Sequence, residues 1–384
     1  MDFDLPSHTH LLTIAGSRAY GIHRPGSDVD LKGVAIAPAR YVLGFAHRFE
    51  QADDASHIDA FRDRLTPEEQ AATRDTKLEG SVYELRKFLS LAADNNPNIL
   101  DALFCREEEV RACSPIGRAL RDHRHLFLSA KAKHTFSGYA AAQLKRIKGH
   151  RAWLLDPPQA PPTRAQYGLP EHTLLPSDQL AAANAAVRKQ IDSWELDLSG
   201  LADAEIVHVV DQLARCLSEI RSALGYESVE AAKYHAAART IGLDENLIYV
   251  MQREREYESA ARHFAQYSEW KRSRNPARAA LEAAHGYDTK HAGHLVRLLR
   301  MGFEILTTGE VHVWRGPGGP NDADELIAIR SGEWSYDALI AWADRQEAEL
   351  DRVYAERRYV VPARPDREAI DALCVDWMRT ALQG

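Results

Sequence analysis

The spacing of apolar positions changes character once along the chain. In the first third, apolar residues come in short runs: Leu11-Leu12-Thr13-Ile14-Ala15 and Val29 through Ile36, separated by the turn residues Arg24-Pro25-Gly26-Ser27. These predict two neighbouring strands of one sheet. A third strand is expected over 77–83, running directly into a helix-period segment, Leu85-Arg86-Lys87-Phe88-Leu89-Ser90-Leu91. Between the second and third strands, residues 49–75 hold eight acids against three bases. That imbalance predicts a solvated loop or insertion, with a mobile lid over a site as the sharper alternative. After residue 128 the period becomes helical, near 129–154, 181–195, 202–225, 244–264, 276–307, 336–354 and 366–382. The stretch 155–180 interrupts it with six of the 17 prolines and reads as a connector or surface loop. Gly316-Pro317-Gly318-Gly319-Pro320 reads as a turn.

Composition narrows the class. The 384 residues are 45% hydrophobic and 27% charged, as in packed globular proteins, and two domains are expected at this length. The formal net charge of −8 excludes a uniformly basic nucleic-acid coat but leaves room for a local basic groove. No apolar run reaches the roughly 20 residues that span a bilayer. Asp2 and Asp4 stand where a signal peptide would be positive, so a cytoplasmic protein with no membrane partner is expected. Cys105, Cys113, Cys216 and Cys374 form no Cys-x-x-Cys pair, which argues against a zinc knuckle or a disulfide framework.

The chemistry concentrates in Ala15-Gly16-Ser17-Arg18-Ala19-Tyr20-Gly21 and Asp28-Val29-Asp30-Leu31-Lys32-Gly33. On a strand, Asp28 and Asp30 face one way, about 7 Å apart, while Val29 and Leu31 face the core. Two such carboxylates suit Mg²⁺, a hard cation that arrives with nucleotide phosphates. Gly16 lets backbone approach a phosphate, and Ser17 offers a hydroxyl donor. An EF-hand is excluded by Lys32 and Ala39 at its fifth and twelfth positions, and neither a Walker A loop nor a Rossmann fingerprint fits the glycine spacing.

Together these segments resemble the nucleotidyltransferases of the DNA polymerase β superfamily. The signature there is hydrophobic-Gly-Gly/Ser, a gap, then Asp-hydrophobic-Asp/Glu-hydrophobic. Ala15-Gly16-Ser17, ten intervening residues and Asp28-Val29-Asp30-Leu31 match it. The fuller string is similar to a predicted bacterial and phage branch associated with RNA repair. That resemblance implies an α+β fold: a polymerase-β-type mixed sheet with flanking helices, expected over 1–127, followed by a predominantly helical region over 128–384. It implies a third carboxylate four residues before Tyr83, which here is Glu79 where aspartate is expected, with Asp75 as a second candidate. Two metal ions, Mg²⁺ or Mn²⁺, would then be held by Asp28, Asp30 and Glu79, and Gly16, Ser17 and Arg18 would bind the nucleotide.

The resemblance continues through Asn96-Pro97-Asn98-Ile99-Leu100 and from Gly286 to Arg300. In the latter, Lys290, His294 and Arg297 fall at i, i+4 and i+7, one polar stripe suited to a triphosphate or to a nucleic-acid backbone. Asp288, His291 and His294 could instead suggest a metal triad, although His-x-x-His alone is weak evidence, and His291 also reads as a buried, hydrogen-bonded histidine. Residues 129–151 carry six bases and no acid, and Lys145, Arg146 and Lys148 are the candidate acceptor contacts. Tyr139, Gln143, Arg146 and His150 are spaced for one helical face. The function expected is transfer of a nucleoside monophosphate from an NTP to an acceptor hydroxyl on RNA or tRNA, with release of pyrophosphate. The alternatives are a nucleotide- or RNA-binding module of the same fold with weak catalysis, and a transferase acting on a protein or small molecule.

Overall fold

The computed structural model describes residues 2–75, 78–173, 176–194, 208–209, 211–212, 215, 218–219, 221–222 and 228–383. The helix expected over 202–225 falls mostly outside them, as does Cys216. By internal contacts the chain divides into two units, one formed by residues up to 156 with those from 275 onward, the other by residues 157–274. The second unit is therefore an insertion in the chain of the first. The expected boundary at 127/128 lies within the first unit, where Phe127, Leu128 and Phe136 are buried in one core with Leu299 and Leu350.

Strands β1 (Thr9–Ala15), β2 (Val29–Ala35) and β4 (Leu78–Glu84) form the middle of a five-stranded mixed sheet, with β3 (Gln51–Ala52) and β5 (Val110–Cys113) at its edges. Only β2 and β4 run parallel among the paired strands. Alternation sorts the side chains as the sequence implies. Leu12, Ile14, Val29, Leu31 and Val82 enter one core, whereas Leu11 and Val34 enter the other. Residues 49–75 depart from the expected solvated loop. They fold into β3, α3 (Ala55–Asp59) and α4 (Pro67–Asp75), and Ala52, Ile58, Phe61 and Leu65 cover the Val29–Leu31 face of the sheet. The charges there lie between apolar anchors, and Glu69 is tied to Arg111 by a largely buried ion pair.

The other face carries helices. Glu84 caps α5 (Leu85–Ala93) by accepting from the backbone of Arg86 and Lys87, and Leu85, Phe88, Leu89 and Ala92 form its buried stripe. Asn96 caps α6 (Pro97–Phe104), with Pro97 in the first turn. Next come α7 (Pro115–Asp122) and the long α8 (Ala132–Leu155). In the inserted unit, α9 (Ser177–Asp192), α10 (Val229–Thr240) and α11 (Glu245–Ser273) enclose a separate core around Val187, Ala237 and Met251. The proline-rich stretch is irregular as expected, apart from a short turn of helix at Arg164–Tyr167.

The single helix expected over 276–307 is two helices. Gly286, at φ +71°, ends α12 (Pro276–His285), and Asp288 caps α13 (Thr289–Thr308). A Cβ on Gly302 would stand 2.9 Å from the Phe136 Cβ, so the absent side chain sets how closely α13 approaches α8. Three further helices, α14 (Ala323–Arg330), α15 (Tyr336–Ala355) and α16 (Arg367–Gln383), complete the unit. Cys105, Cys113 and Cys374 are free thiols, and among the described residues no helix is long and apolar enough to cross a membrane.

Candidate active site

Register builds the site. Ala15 pairs with Asp30 across β1 and β2, and Asp30 pairs with Glu79 across β2 and β4. The row Ala15, Asp30, Glu79 therefore crosses the three central strands, and its acids share one face. Directly after Ala15, Gly16 turns the chain at φ +62°, and a Cβ there would meet Asp30 Oδ2 at 2.1 Å. Glycine is required twice, for the backbone conformation and for the room it gives the carboxylate. Burial raises the Asp30 carboxyl above its ordinary range, and the charges of Asp28 and Glu79 push it further, against Lys290 and Lys32. Three acids thus act on one point. Their oxygen-only donor set fits a hard divalent cation, which would relieve that repulsion.

The remaining N-terminal candidates are placed differently. Asp28 is exposed just before β2, while Ser17 and Arg18 follow Gly16 on the short α1 (Gly16–Ala19) without lining the cleft described next. The Arg18 Nε is buried without a hydrogen-bond partner, and its charge helps lower the neighbouring His23. Glu79 lines the cleft, whereas the Asp75 side chain lies outside what the structure describes.

The acid row opens onto a cleft of about 750 Å³ whose opposite wall comes from α8 and α13. Tyr139, Gln143 and Arg146 project from α8, and Lys290, His291, His294 and Arg297 from α13. The i, i+4, i+7 stripe is therefore brought to the acids, but its members differ in charge. Lys290 is exposed. Burial pushes the His294 imidazole well below its ordinary value, reinforced by Arg297, His291 and Lys290, so at neutral pH it offers a hydrogen bond rather than a charge. Arg297 is buried, 3.6 Å from Asp101 and stacked 3.8 Å above the Tyr20 ring.

At the start of α13, Asp288 is fully buried and accepts from the backbone of His291, while its Oδ2 lies 2.8 Å from His150 Nδ1 and 2.5 Å from Arg278. Burial opposes its charge, yet the His150 hydrogen bond and the neighbouring His291 and Arg278 hold the carboxyl far below its usual range. His150, Asp288 and His291 bring possible ligand atoms within 4.8 Å of one another, a grouping that includes His150 in place of His294. The Arg278 cation on the same carboxylate makes this a neutralised helix cap, poor ground for a second dication. His291 meets Gln143 Oε1 at 2.7 Å, as a satisfied histidine would, and burial with the nearby cations takes it down to about 4.

Lys131, just before α8, pairs with Asp94; on the helix Lys133 pairs with Asp351, and Arg151 stacks on Tyr336. Lys145, Arg146 and Lys148 are exposed, and Arg146 lines the cleft. Sequence reasoning missed several lining residues: Lys32, whose Nζ donates to Ser81, as well as Tyr20, Asn98 and Asp101. Asp101 had one visible signal, as the only acid in the apolar run Pro97–Phe104.

Residues 7–153 match the model of the RlaP family, described as the RNA repair pathway DNA polymerase beta family. A curated relative from Enterobacteria phage T4, an uncharacterized 38.9 kDa protein in the nrdC-mobD intergenic region, is 28% identical over 140 residues. The match spans 35% of this chain and 38% of the phage protein. No solved structure matches the chain.

Proposed function

We propose, from the polymerase-β-type nucleotidyltransferase assignment of residues 7–153, that this protein transfers a nucleoside monophosphate from an NTP to a hydroxyl of an RNA or tRNA acceptor. The observation that carries this reading is the Asp30–Glu79 pair, in register beside a glycine whose missing side chain accommodates Asp30. Asp28, Asp30 and Glu79 are the residues to hold Mg²⁺, or Mn²⁺ in its place. Bound metal ions of this kind ease ionisation of an attacking hydroxyl and offset charge on departing pyrophosphate.

The chain's own groups do the rest. Gly16, at the cleft wall, and Ser17 directly behind it form the turn for the outer phosphates, while Arg18, Lys290 and Arg297 supply positive charge and His294 a neutral hydrogen-bonding group. Lys145, Arg146 and Lys148 take the phosphates of the acceptor strand. The acceptor oxygen forms a bond to the α-phosphorus, the bond from that phosphorus to the bridging oxygen breaks, and the hydroxyl proton passes to water. Positioning and charge complementarity suffice for such a reaction, and no protein nucleophile is needed.

The test incubates the protein with each radiolabelled NTP, Mg²⁺ and candidate RNA, protein and small-molecule acceptors. Label on RNA that disappears in an Asp28→Ala, Asp30→Ala double variant is the expected result. Undiminished transfer by that variant would sink the assignment, and label on protein or on a small molecule would overturn the acceptor class. RNA binding without transfer to any acceptor would favour a binding module.

A further inference from the structure

Two buried ionic side chains line the cleft with their hydrogen-bonding capacity incompletely used. Asp101, only 2% exposed, accepts the Tyr20 hydroxyl at 2.5 Å through Oδ2, while its Oδ1 has no partner. Arg297, only 4% exposed, has a buried Nε without an acceptor, and its Nη1 donates to the weakly accepting sulfur of Met301 at 3.0 Å. The 3.6 Å between Arg297 Nη1 and Asp101 Oδ2 is beyond hydrogen-bond reach. A buried guanidinium and carboxylate this close would ordinarily close into a bidentate fork, which would satisfy both. Tyr20 touches both: its hydroxyl donates to the carboxylate, and its ring face lies 3.8 Å from the guanidinium. Burial of an incompletely satisfied guanidinium is costly, and the cleft is where its missing acceptor can enter.

We propose that Tyr20 and Asp101 are positioning residues that hold the Arg297 guanidinium open toward the cleft, ready for the phosphate oxygens of the nucleotide. The inference rests on the nucleotidyltransferase reading of the cleft. Asp101 supplies a counter-charge that stabilises Arg297 in the interior, yet it stands too far away to occupy the N–H edge that a phosphate needs. Tyr20 sets that distance. Removing the hydroxyl alone lets Asp101 close on Arg297 and compete with the ligand, and removing the carboxylate's charge as well ends the competition.

The probes are the α,β-methylene analogues of the four ribonucleoside triphosphates with Mg²⁺, and inorganic tripolyphosphate, titrated calorimetrically into the full chain. Tyr20→Phe is expected to bind both kinds of probe about tenfold more weakly, the size of one charge-assisted hydrogen bond. Adding Asp101→Asn to Tyr20→Phe is expected to bring affinity back to within about threefold of wild type, a recovery that a purely structural role would not produce. If Tyr20→Phe does not fold, Asp101→Glu takes its place, since its added methylene closes the gap to Arg297, and the same loss is expected. An unchanged affinity in the single variant, or a double variant no tighter than the single one, overturns the inference. Wild type that binds the probes while the variants are indifferent overturns this inference alone, whereas wild type that binds neither probe overturns it together with the nucleotide reading.

Discussion

Asp30 lowers the stability of the fold at neutral pH. Burial first, then the charges of Asp28 and Glu79, raise its carboxyl, so the folded chain keeps this proton to higher pH than the unfolded chain does. Stability therefore falls as pH rises through the folded value. Asp30→Asn is expected to raise the melting temperature at pH 7 in chelator by about 2 °C. The gain should vanish near pH 3, where wild type carries the proton in both states, and Mg²⁺ should stabilise wild type but not the variant. Scanning calorimetry decides, and equal melting temperatures at pH 7 would contradict the account. His291 and His294 work in the opposite sense: both are lowered on folding, so their contribution is lost as pH falls below the ordinary imidazole value, for His291 toward about 4. The placing of Gly16 beside Asp30 was legible in the spacing along the chain, and Glu79 beside Asp30 only through the family resemblance. Tyr20 and Asp101 were not, because their meeting with Arg297 depends on how α6 and α13 pack, whereas Lys32 follows Asp30 at the next same-face position of β2 and went unused.

At the scale of elements, periodicity identified α8, α15 and α16 because each buries a stripe while the rest faces water. It missed β5, a short edge strand with all four residues half-buried, where alternation leaves little trace. It merged α12 with α13 because helical spacing continues on both sides of Gly286, whose φ is invisible to a count of apolar residues. The charge imbalance in 49–75 concealed five apolar anchors, Phe49, Ala52, Ile58, Phe61 and Leu65. On α8, Lys145 and Lys148 are exposed beside Arg146, which lines the cleft. Replacing all three by alanine is expected to reduce the salt slope of RNA-oligonucleotide binding by about 2, at roughly 0.7 for each single-strand phosphate contact. Fluorescence anisotropy between about 50 and 200 mM salt measures it, and an unchanged slope would remove these residues from the acceptor path.

At the scale of the molecule, the family match ends at residue 153, but the cleft does not. Its far wall is supplied by residues 290–298, and the turn after β1 is gripped from further along still. The Arg315 backbone donates to the Tyr20 carbonyl, Arg330 to that of Ile22, and Arg24 to that of Ile327. The inserted unit has its own core, and none of its described residues lines the cleft. Replacing 157–274 with a Gly/Ser linker of about ten residues, reaching roughly 17 Å, is expected to leave binding of the methylene analogues within about threefold of wild type. A fragment ending at residue 156 should show none. Titration of both checks this, and binding by the fragment would contradict it.

The split of the first unit around an insertion also has a consequence in time. During synthesis the sheet, Asp30 and Glu79 leave the ribosome long before Lys290 does, and at ~5–20 residues per second the interval is on the order of ten seconds. Throughout that interval the acid row stands without its basic wall. On the reading proposed above, a nascent chain would lack one side of the nucleotide site until α13 has emerged and packed against α8.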